Sequence, residues 1–411
     1  MPNLLSVVDA VARITARAAR LPHEMVDLHA AAGRTLAVEV ASDHDLPPFD
    51  NSAMDGYAVH AADLLGATPD LPVALDADAT ILAGHGEAPP LPPGRAMRIM
   101  TGAPLPAGAD AVVPIERTAR DDAGHVLFIG PATVGANRRP RGSDLPRGTK
   151  VLHAGALLRP AELCLLAALG WAAVPCVRRP RTVVLSTGDE VVPVDTTPGP
   201  GQIRDSSLIA MPAQLAASGA EVVRRQHVPD SPEELERVLG DLGEVDLIVT
   251  MGGVSVGDRD YVRPVFERLG ERVFWQVAIK PGKPLVFGLL GEALFFGLPG
   301  NPVSGMVCLE VFVRPAIDSL LGRQGGRIVL AGRWAAAVCS DARRTEFVRV
   351  HAAPAEDGVW EARPTGEQSS GRMMSMLGAN AFGVIGAGVG AVAEGDAARI
   401  ELFEPPVGSV A

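Results

Sequence analysis

The sequence has little of what marks a zinc-bound, secreted or membrane-spanning protein. Its four cysteines (Cys164, Cys176, Cys308 and Cys339) form no Cys-x-x-Cys pair, and no histidine cluster accompanies them, which argues against a zinc site and a disulfide framework. We expect each cysteine to be a small, buried apolar residue. No run of residues is long and apolar enough to span a membrane, and the first residues lack a signal-peptide pattern, so we expect a cytoplasmic protein.

Positive charge is also scarce. The net charge of the 411 residues is -11, which argues against broad nucleic-acid binding but leaves a local basic pocket open. The hydrophobic fraction of 47% and the charged fraction of 21% are typical of a soluble globular protein. The chain is too long for one ordinary core, so we predict roughly two to four domains.

The first part of the chain changes character twice. Residues 6–20 have an amphipathic pattern that predicts a helix. Residues 41–144 are rich in proline and glycine with short alternating runs, which predicts a small β-rich domain. Residues 145–178 return to a helix and short strands. We expect this segment to pack on the first helix, so that residues 1–40 and 145–178 form one linker domain into which the β-rich domain is inserted.

Strands and helices then alternate from about residue 181 to residue 322. We predict strands at 182–185, 221–228, 246–249, 274–279, 285–289 and 293–296, and helices at 206–218, 232–239, 261–269 and from 302 onward. This alternation predicts a doubly wound, mostly parallel sheet, in which ligands bind at the carboxyl ends of the strands. Short β runs return from about residue 327. The predicted fold class is therefore α/β plus β in several domains, with the α/β domain at 179–325 and a C-terminal β domain at 326–411.

Four polar loops directly follow predicted strands of the α/β domain. They are Ser186-Thr-Gly-Asp-Glu190, Pro229-Asp230, the glycine loop from Thr250 to Asp258, and Gly297-Leu-Pro-Gly-Asn-Pro-Val-Ser304. One such loop is weak support, because Gly-Asp is common in surface turns. Four loops at one edge of a sheet predict a site.

Three acids of these loops are suited to Mg²⁺. Glu190, Asp230 and Asp258 would supply hard oxygen ligands. The alternative is that each closes a turn or caps a helix, and for Asp230 it is serious because Ser231 and Pro232 have the pattern of a helix start. For Asp258 we favour the functional interpretation. The glycines before it let a ligand approach the backbone, and such a turn usually holds phosphate.

Two further segments have a functional and a structural interpretation. Asn301 and Pro302 are typical of an N-cap and first helical turn, which either presents N–H groups to an anion or simply starts a helix. Lys280 and Lys283 lie in a short loop between two apolar strands. A solvated turn is the alternative there, but the scarcity of lysine in this arginine-rich chain favours an oxyanion site.

Two loops of the inserted region are rich in polar residues, proline and glycine. One runs from residue 46 to 57 and the other from 100 to 110. Either could be a plain connection between strands, and neither alone names a reaction.

These segments, in this order, resemble the molybdopterin molybdotransferase family, which includes bacterial MoeA and the C-terminal domain of gephyrin. The resemblance rests on PFDNSAMDGYA (48–58), MTGAPLPAGADAVVP (100–114), RGSDLPRG (141–148), STGDE (186–190), GQIRDSS (201–207), TMGGVSVGDRDYV (250–262), KPGKPLVFG (280–288), GLPGNPVS (297–304), RRTEFVRV (343–350) and SSGRMMSMLGANAF (369–382). It covers nearly the whole chain.

The resemblance implies a four-domain, elongated homodimer whose linker domain takes part in dimerisation. It implies an enzyme that takes adenylylated molybdopterin and molybdate, cleaves the adenylate with Mg²⁺, inserts molybdenum and releases AMP. The implied partners are a molybdopterin adenylyltransferase that supplies the substrate, expected as a separate protein because no such domain precedes this chain, and molybdoenzymes or cofactor chaperones that accept the product.

The same resemblance implies roles for individual residues. Catalytic roles would belong to Asp55, Thr101, Asp144, Glu190, Asp230 and Asp258, with Glu190, Asp230 and Asp258 also serving the metal. Substrate contacts would come from Gly252, Gly253, Ser255, Gly257, Lys280, Lys283, Pro299, Gly300, Asn301, Pro302 and Ser304. Lys280, Lys283 and Ser304 would hold molybdate or the pterin phosphate, and Asp55, Thr101 and Asp144 would complete the cleft across the dimer.

The chain departs from the family pattern at two positions, and other functions stay open. Asp230 stands alone where many relatives show two adjacent acids, and Ser207 replaces a usual asparagine. A molybdopterin adenylyltransferase is the competing enzyme, but it needs neither of the two β domains. A scaffold protein and a tungsten-selective paralogue are two more candidate functions, and the intact Glu190, Asp258, Lys280 and Lys283 argue against the scaffold.

Overall fold

The computed structural model describes residues 4–86, 88–255, 257, 260–323 and 326–404. The chain divides into two compact units. The larger consists of Met1–Val38, Ala154–Leu163 and Ala172–Ala411, and the smaller of Glu39–His153 and Cys164–Trp171. The domain boundaries expected from the sequence stay a prediction. None of the described helices is long and apolar enough to cross a membrane.

The smaller unit is built from short strands. A four-stranded sheet has the order Thr80–Ile81, Met97–Ile99, Gly56–Val59 and Ala111–Pro114, and a three-stranded sheet the order Val73–Leu75, Val126–Phe128 and Thr118–Arg120. Two strand pairs join Val40–Ala41 to Lys150–Leu152 and Asn51–Ser52 to Arg138–Arg139, and 3₁₀ turns occupy Ala61–Leu64 and Ile115–Arg117. In the core, the rings of Tyr57 and Phe128 meet edge to face with centroids 5.9 Å apart.

The amino-terminal part of the larger unit holds the first predicted helix. This helix spans Val7–Thr15 and therefore ends five residues before the predicted end at residue 20, and the hydroxyl of Ser6 caps it by accepting the Asp9 N–H at 3.0 Å. A 3₁₀ turn at Leu28–Ala30 follows the strand His23–Asp27, which pairs antiparallel with Ala173–Val177. The helix predicted within residues 145–178 spans Pro160–Ala168, of which residues 160–163 belong to the larger unit.

The central sheet of the larger unit has six strands. Their order is Glu221–Val228, Arg181–Thr187, Leu247–Met251, Ala293–Leu298, Val286–Leu290 and Glu271–Trp275. The first four of these strands are parallel, and each of the last two is antiparallel to the strand before it. The helices are Ser207–Ala217, Pro232–Gly240, Val262–Leu269, Pro302–Cys308 and Arg314–Leu321, with a π-helical segment, Leu309–Val313, joining the last two.

Both faces of the central sheet are buried, as expected for strands that read as continuous apolar runs. Val184 and Phe296 point into one core, whereas Val183 and Phe295 point into another on the opposite face. Phe295 stacks on Phe266 at a centroid distance of 4.0 Å. Burying one such ring stabilises the fold by about 1.5–3 kcal/mol.

The C-terminal β region forms a closed barrel. Its strands follow the order Thr345–Pro354, Trp360–Pro364, Ile328–Trp334, Ala397–Leu402 and Ala381–Ile385, and the last strand pairs again with the first. The two-residue strand Ile279–Lys280 joins the barrel strand Thr345–Pro354 in parallel. Two small pairs, Val191–Val192 with Ile203–Arg204 and Val338–Cys339 with Ala391–Val392, and a 3₁₀ turn at Met373–Ser375 complete the described elements.

Two predictions from the sequence are wrong. The strand predicted at 274–279 is interrupted, because Gln276 has a φ of +70° and turns the chain out of the central sheet after Trp275. Cys164 and Cys339 are exposed rather than buried, while all four cysteines are free thiols, as predicted.

Candidate functional site

A cavity of about 520 Å³ lies at the carboxyl ends of the parallel strands, where the fold class places ligands. Its lining includes many of the residues expected from the sequence: Glu190, Asp230, Gly252, Gly253, Ser255, Gly257, Pro299, Gly300, Asn301 and Pro302. The loops after Arg181–Thr187, Leu247–Met251 and Ala293–Leu298 therefore contribute to one site.

The glycine loop has a backbone that requires glycine at two positions. Gly252 and Gly253 have φ values of +99° and +64°. A Cβ on Gly252 would lie 2.7 Å from the Thr187 hydroxyl oxygen, and one on Gly253 would lie 2.7 Å from Cγ2 of Val262. The Gly252 N–H donates to the Leu298 carbonyl at 3.0 Å. The loop therefore packs closely against its neighbours at the edge of the cavity.

The end of the glycine loop is held by Asp260, a residue that the sequence analysis missed. Its Oδ2 accepts the Gly257 N–H at 2.6 Å, and both residues line the cavity. The signal was the second carboxylate of the Gly-Asp-Arg-Asp sequence. Val256, Asp258 and Arg259 lie outside the described residues, so the metal-binding role of Asp258 stays a prediction.

Glu190 and Asp230 form an acidic edge of the cavity. Asp189 and Asp230 exchange hydrogen bonds, since the N–H of Asp189 donates to Oδ2 of Asp230 at 3.3 Å and the N–H of Asp230 donates to Oδ1 of Asp189 at 3.1 Å. Ser231, not Asp230, caps the next helix by accepting the Glu234 N–H at 3.3 Å. The helix start predicted at Ser231 and Pro232 is therefore confirmed, and Asp230 lies directly before the cap.

The charges at this edge repel one another. Burial raises the pKa of the Asp230 carboxyl, and the charges of Asp189 and Glu190 raise it further, against the hydrogen bond from Asp189 and the charge of His227. Within the described residues, no group of three or more His, Cys, Asp and Glu side chains is arranged as a metal site. A pair of carboxylates that leaves positions for phosphate oxygens and water still suits Mg²⁺.

The helix predicted to begin at residue 302 does so, with Asn301 in the N-cap position. The Asn301 side chain makes no capping bond. Its Nδ2 instead donates to the Ser370 hydroxyl at 3.3 Å. A Cβ on Gly300 would lie 3.4 Å from Cα of Gly252, so this loop and the glycine loop approach closely.

The lysine loop, residues 280–284, reaches the cavity through Pro284. Lys280 is paired in register with Glu346 of the barrel, and its Nζ lies 2.9 Å from a carboxylate whose side chain is 1% exposed. Ser304 is buried and lies in the helix Pro302–Cys308, whose first residue lines the cavity. None of the three residues expected to hold molybdate lines the cavity. They are Lys280, Lys283 and Ser304, which lie one to four positions from the lining residues Pro284 and Pro302 in the sequence.

Arg349 is a buried cation that the sequence analysis missed. Its Nε donates to the Ser375 hydroxyl at 3.1 Å, while Nη1 has no partner among the described residues. Burial lowers the pKa of this guanidinium to about 10, against the charge of Glu346, which also pairs with Lys280. A buried guanidinium with a free donor suits an oxyanion. Its signal was the RRTEFVRV segment.

Ser186, the first residue of a predicted polar loop, forms a buried pair in the cavity wall with Asp205, which was not predicted. The Ser186 hydroxyl donates to Oδ2 of Asp205 at 2.5 Å and lies 3.1 Å from Nδ1 of His227. Oδ1 of Asp205 accepts the Leu208 N–H at 2.9 Å at the start of a helix. The pair ties two strand ends to that helix.

Asp55, Thr101 and Asp144 belong to the smaller unit. Oδ1 of Asp55 accepts hydrogen bonds from both the N–H and the hydroxyl of Thr101, each at 2.7 Å. These bonds, with the charge of Arg98, lower the pKa of Asp55. The Asp144 N–H donates to the Leu46 carbonyl at 3.0 Å. The two loops that carry Asp55 and Thr101 are therefore bonded directly.

Comparison with known families gives matches along almost the whole chain. Residues 5–170 match the MoeA N-terminal region (domain I and II), residues 183–319 a probable molybdopterin binding domain, and residues 331–403 the MoeA C-terminal region (domain IV).

Curated proteins and solved structures agree with these matches. The chain is 36% identical to the molybdopterin molybdenumtransferase of Haemophilus influenzae, covering 94% of this chain and 95% of that protein, and 33% identical to that of Bacillus subtilis, covering 98% and 95%. A crystal structure of the molybdopterin biosynthesis MoeA protein from Pyrococcus horikoshii is similar with a TM-score of 0.82 at 26% identity, covering 97% of this chain and all of that one.

Proposed function

We propose that this chain, which belongs to the MoeA family of molybdopterin molybdenumtransferases, inserts molybdate into adenylylated molybdopterin in a Mg²⁺-dependent reaction that releases AMP. Family membership makes the protein a transferase of molybdenum cofactor biosynthesis. The observation that carries the finer proposal is one cavity whose lining combines two kinds of group. Its glycine loop suits phosphate, and its acidic residues Glu190 and Asp230 suit a cation.

The acidic edge fits a divalent cation. Glu190 and Asp230 would hold it, together with Asp258, and the raised pKa of Asp230 supports this because a cation relieves repulsion among carboxylates. Bound there, it would neutralise charge that develops on the departing AMP. The glycine loop would bind the phosphates through backbone N–H groups, and Asp260 would keep the loop in place.

The lysine loop is the proposed place for molybdate. Lys280, Lys283 and Ser304 would hold the dianion. Lys280 and Arg349 both interact with the charge of Glu346, so the free donor of Arg349 supports an oxyanion site in this region. Asp55, Thr101 and Asp144 remain proposed catalytic residues. We also propose a cytoplasmic homodimer that receives its substrate from an adenylyltransferase and passes its product to molybdoenzymes or cofactor chaperones.

Product analysis tests this function. The protein is incubated with adenylylated molybdopterin, molybdate and Mg²⁺, and AMP and pterin-bound molybdenum are measured. We expect both products from the wild type and neither from Asp258→Asn. Formation of adenylate from ATP and molybdopterin would instead indicate an adenylyltransferase. Incorporation of tungstate in preference to molybdate would indicate a tungsten-selective enzyme.

A further inference from the structure

We infer that residues 275–277 form a brace that fixes the glycine loop relative to the lysine loop, which makes Trp275 a positioning residue for the reaction proposed above. Trp275 ends the last strand of the central sheet and is not among the residues that line the cavity. Trp275 and the two residues after it contact the glycine loop and the lysine loop, which the proposed function uses for phosphate and molybdate.

The first contact of the brace reaches the glycine loop. The indole N–H of Trp275 donates to the Val254 carbonyl at 3.1 Å, and Val254 is buried. The guanidinium of Arg263 lies 4.0 Å from the centroid of the Trp275 ring, which holds the indole in place. The Arg263 N–H also approaches the Gly253 carbonyl at 3.4 Å. Two carbonyls of the loop are therefore held by this pair of residues.

The second contact reaches the lysine loop. The Val277 N–H donates to the Lys283 carbonyl at 3.1 Å, and the Gln276 N–H donates to the Leu285 carbonyl at 3.1 Å. Between the two contacts, Gln276 has a φ of +70°, which is unfavourable for a residue with a Cβ. Such strain persists only where surrounding bonds determine the backbone, and it concentrates at functional segments.

A purely structural interpretation is that the Val254 carbonyl merely satisfies the indole N–H. That interpretation gives no reason why Gln276 and Val277 also bond the lysine loop and the residue after it while Gln276 keeps a strained backbone. The brace gives one, because the strained turn at Gln276 directs the chain from the glycine loop to the lysine loop. The two interpretations differ in what happens to the loops when the indole N–H is removed.

The test replaces Trp275 by phenylalanine in the full-length protein. Trp275→Phe keeps an aromatic ring for Arg263 and removes the N–H. Trp360→Phe is the matched control, because it makes the same change in the barrel, where the indole N–H has no partner among the described residues. Amide hydrogen exchange of residues 250–255 is measured without ligand, and AMP affinity is measured by calorimetry with Mg²⁺.

We expect Trp275→Phe to speed exchange in residues 250–255 and to weaken AMP binding about 2- to 10-fold, the range that one neutral hydrogen bond accounts for. Trp360→Phe should change neither. Unchanged exchange in Trp275→Phe would overturn the brace. If the wild type bound no AMP, the proposed function would fail, while the exchange result would still decide the brace.

A second variant tests the strained residue itself. Gln276→Gly accepts a φ of +70° without strain and leaves the Trp275 bond possible. We expect it to fold with undiminished stability, yet to speed amide exchange at Val277, whose N–H donates to the Lys283 carbonyl, because the freer backbone couples the loops less tightly. Exchange as slow as in the wild type would show that the strained turn does not hold the lysine loop.

Discussion

Lys280 and Glu346 form an ion pair of 2.9 Å between the lysine loop and the C-terminal barrel, and the Glu346 side chain is 1% exposed. The pair is a consequence of the strand register, because Ile279–Lys280 adds to the barrel beside Glu346. Glu346 also accepts the Ser340 hydroxyl at 2.7 Å. One lysine of the proposed molybdate loop is thus anchored to the barrel by a buried charge.

Replacing Glu346 with glutamine should lower the free energy of unfolding. The change keeps the shape but leaves Lys280 without its counter-charge, so we expect a loss of about 1–3 kcal/mol, limited because Lys280 is one-third exposed. Urea unfolding measures it. Glu267→Gln, which alters an exposed pair with Arg272, is the control and should cost about 0.5 kcal/mol or less. Equal losses in the two variants would contradict the anchoring role.

Replacing Asp230 with asparagine should stabilise the metal-free protein at neutral pH. The folded protein raises the pKa of Asp230 above its ordinary value, so ionising this carboxyl costs stability once the pH exceeds the ordinary pKa of about 4. Below that pKa both folded and unfolded states are protonated and the cost vanishes. Thermal unfolding should therefore show a higher Tm for Asp230→Asn at pH 7 and a smaller difference at acid pH. If the difference in Tm between Asp230→Asn and the wild type were the same at every pH, the unfavourable ionisation of Asp230 in the folded protein would be contradicted.

Two glycine substitutions separate backbone strain from close packing. Gly253 and Gly291 have similar φ values, +64° and +60°, but a Cβ on Gly253 would meet Val262 whereas one on Gly291 meets nothing within 4 Å. Gly291→Ala should cost about 1 kcal/mol from strain alone. Gly253→Ala should cost more in urea unfolding, by about 1–2 kcal/mol of overpacking, and weaken AMP binding. Similar losses of stability would mean that the Val262 contact is irrelevant.

Replacing Thr101 with valine should raise the pKa of Asp55. The Thr101 hydroxyl is the largest cause of the lowered pKa, and the backbone N–H bond should survive the change. A carboxyl whose pKa is lower in the folded protein stabilises the fold at pH values above its ordinary pKa. This stabilisation is lost as the pH falls through the pKa of the folded protein. An NMR titration of the Asp55 carboxyl measures the shift. Thr118→Val, whose hydroxyl bonds the Ile115 carbonyl, is the control. An unchanged pKa of Asp55 in Thr101→Val would show that the Thr101 hydroxyl does not lower it.

Local patterns predicted much of the α/β region. The strand 221–228 and the helix that begins at Pro232 lie where the sequence indicated, because apolar periodicity, a Ser231 cap and a first-turn proline agree there. The strand 274–279 was mispredicted because its apolar run continues through Gln276, whose positive φ no local signal indicates.

The candidate site was predictable only where loops carry glycine or acid signatures. Glu190 and Asp230 line the cavity as expected. Asp205 and Arg349 were missed because their importance arises from burial and from partners distant in sequence, Ser186 for the first and Ser375 for the second. The strand Ile279–Lys280 pairs with the barrel, and this pairing places Lys280 beside Glu346. The spacing of residues in the sequence does not predict that contact.

Single-turnover release of AMP is the most direct test of the central claim. Enzyme in excess is mixed with adenylylated molybdopterin and Mg²⁺, with and without molybdate, and AMP is followed in time. We predict release that depends on molybdate and leaves molybdenum on the pterin. Tight binding of the adenylate without release under either condition would contradict insertion chemistry and favour a scaffold that has kept the fold.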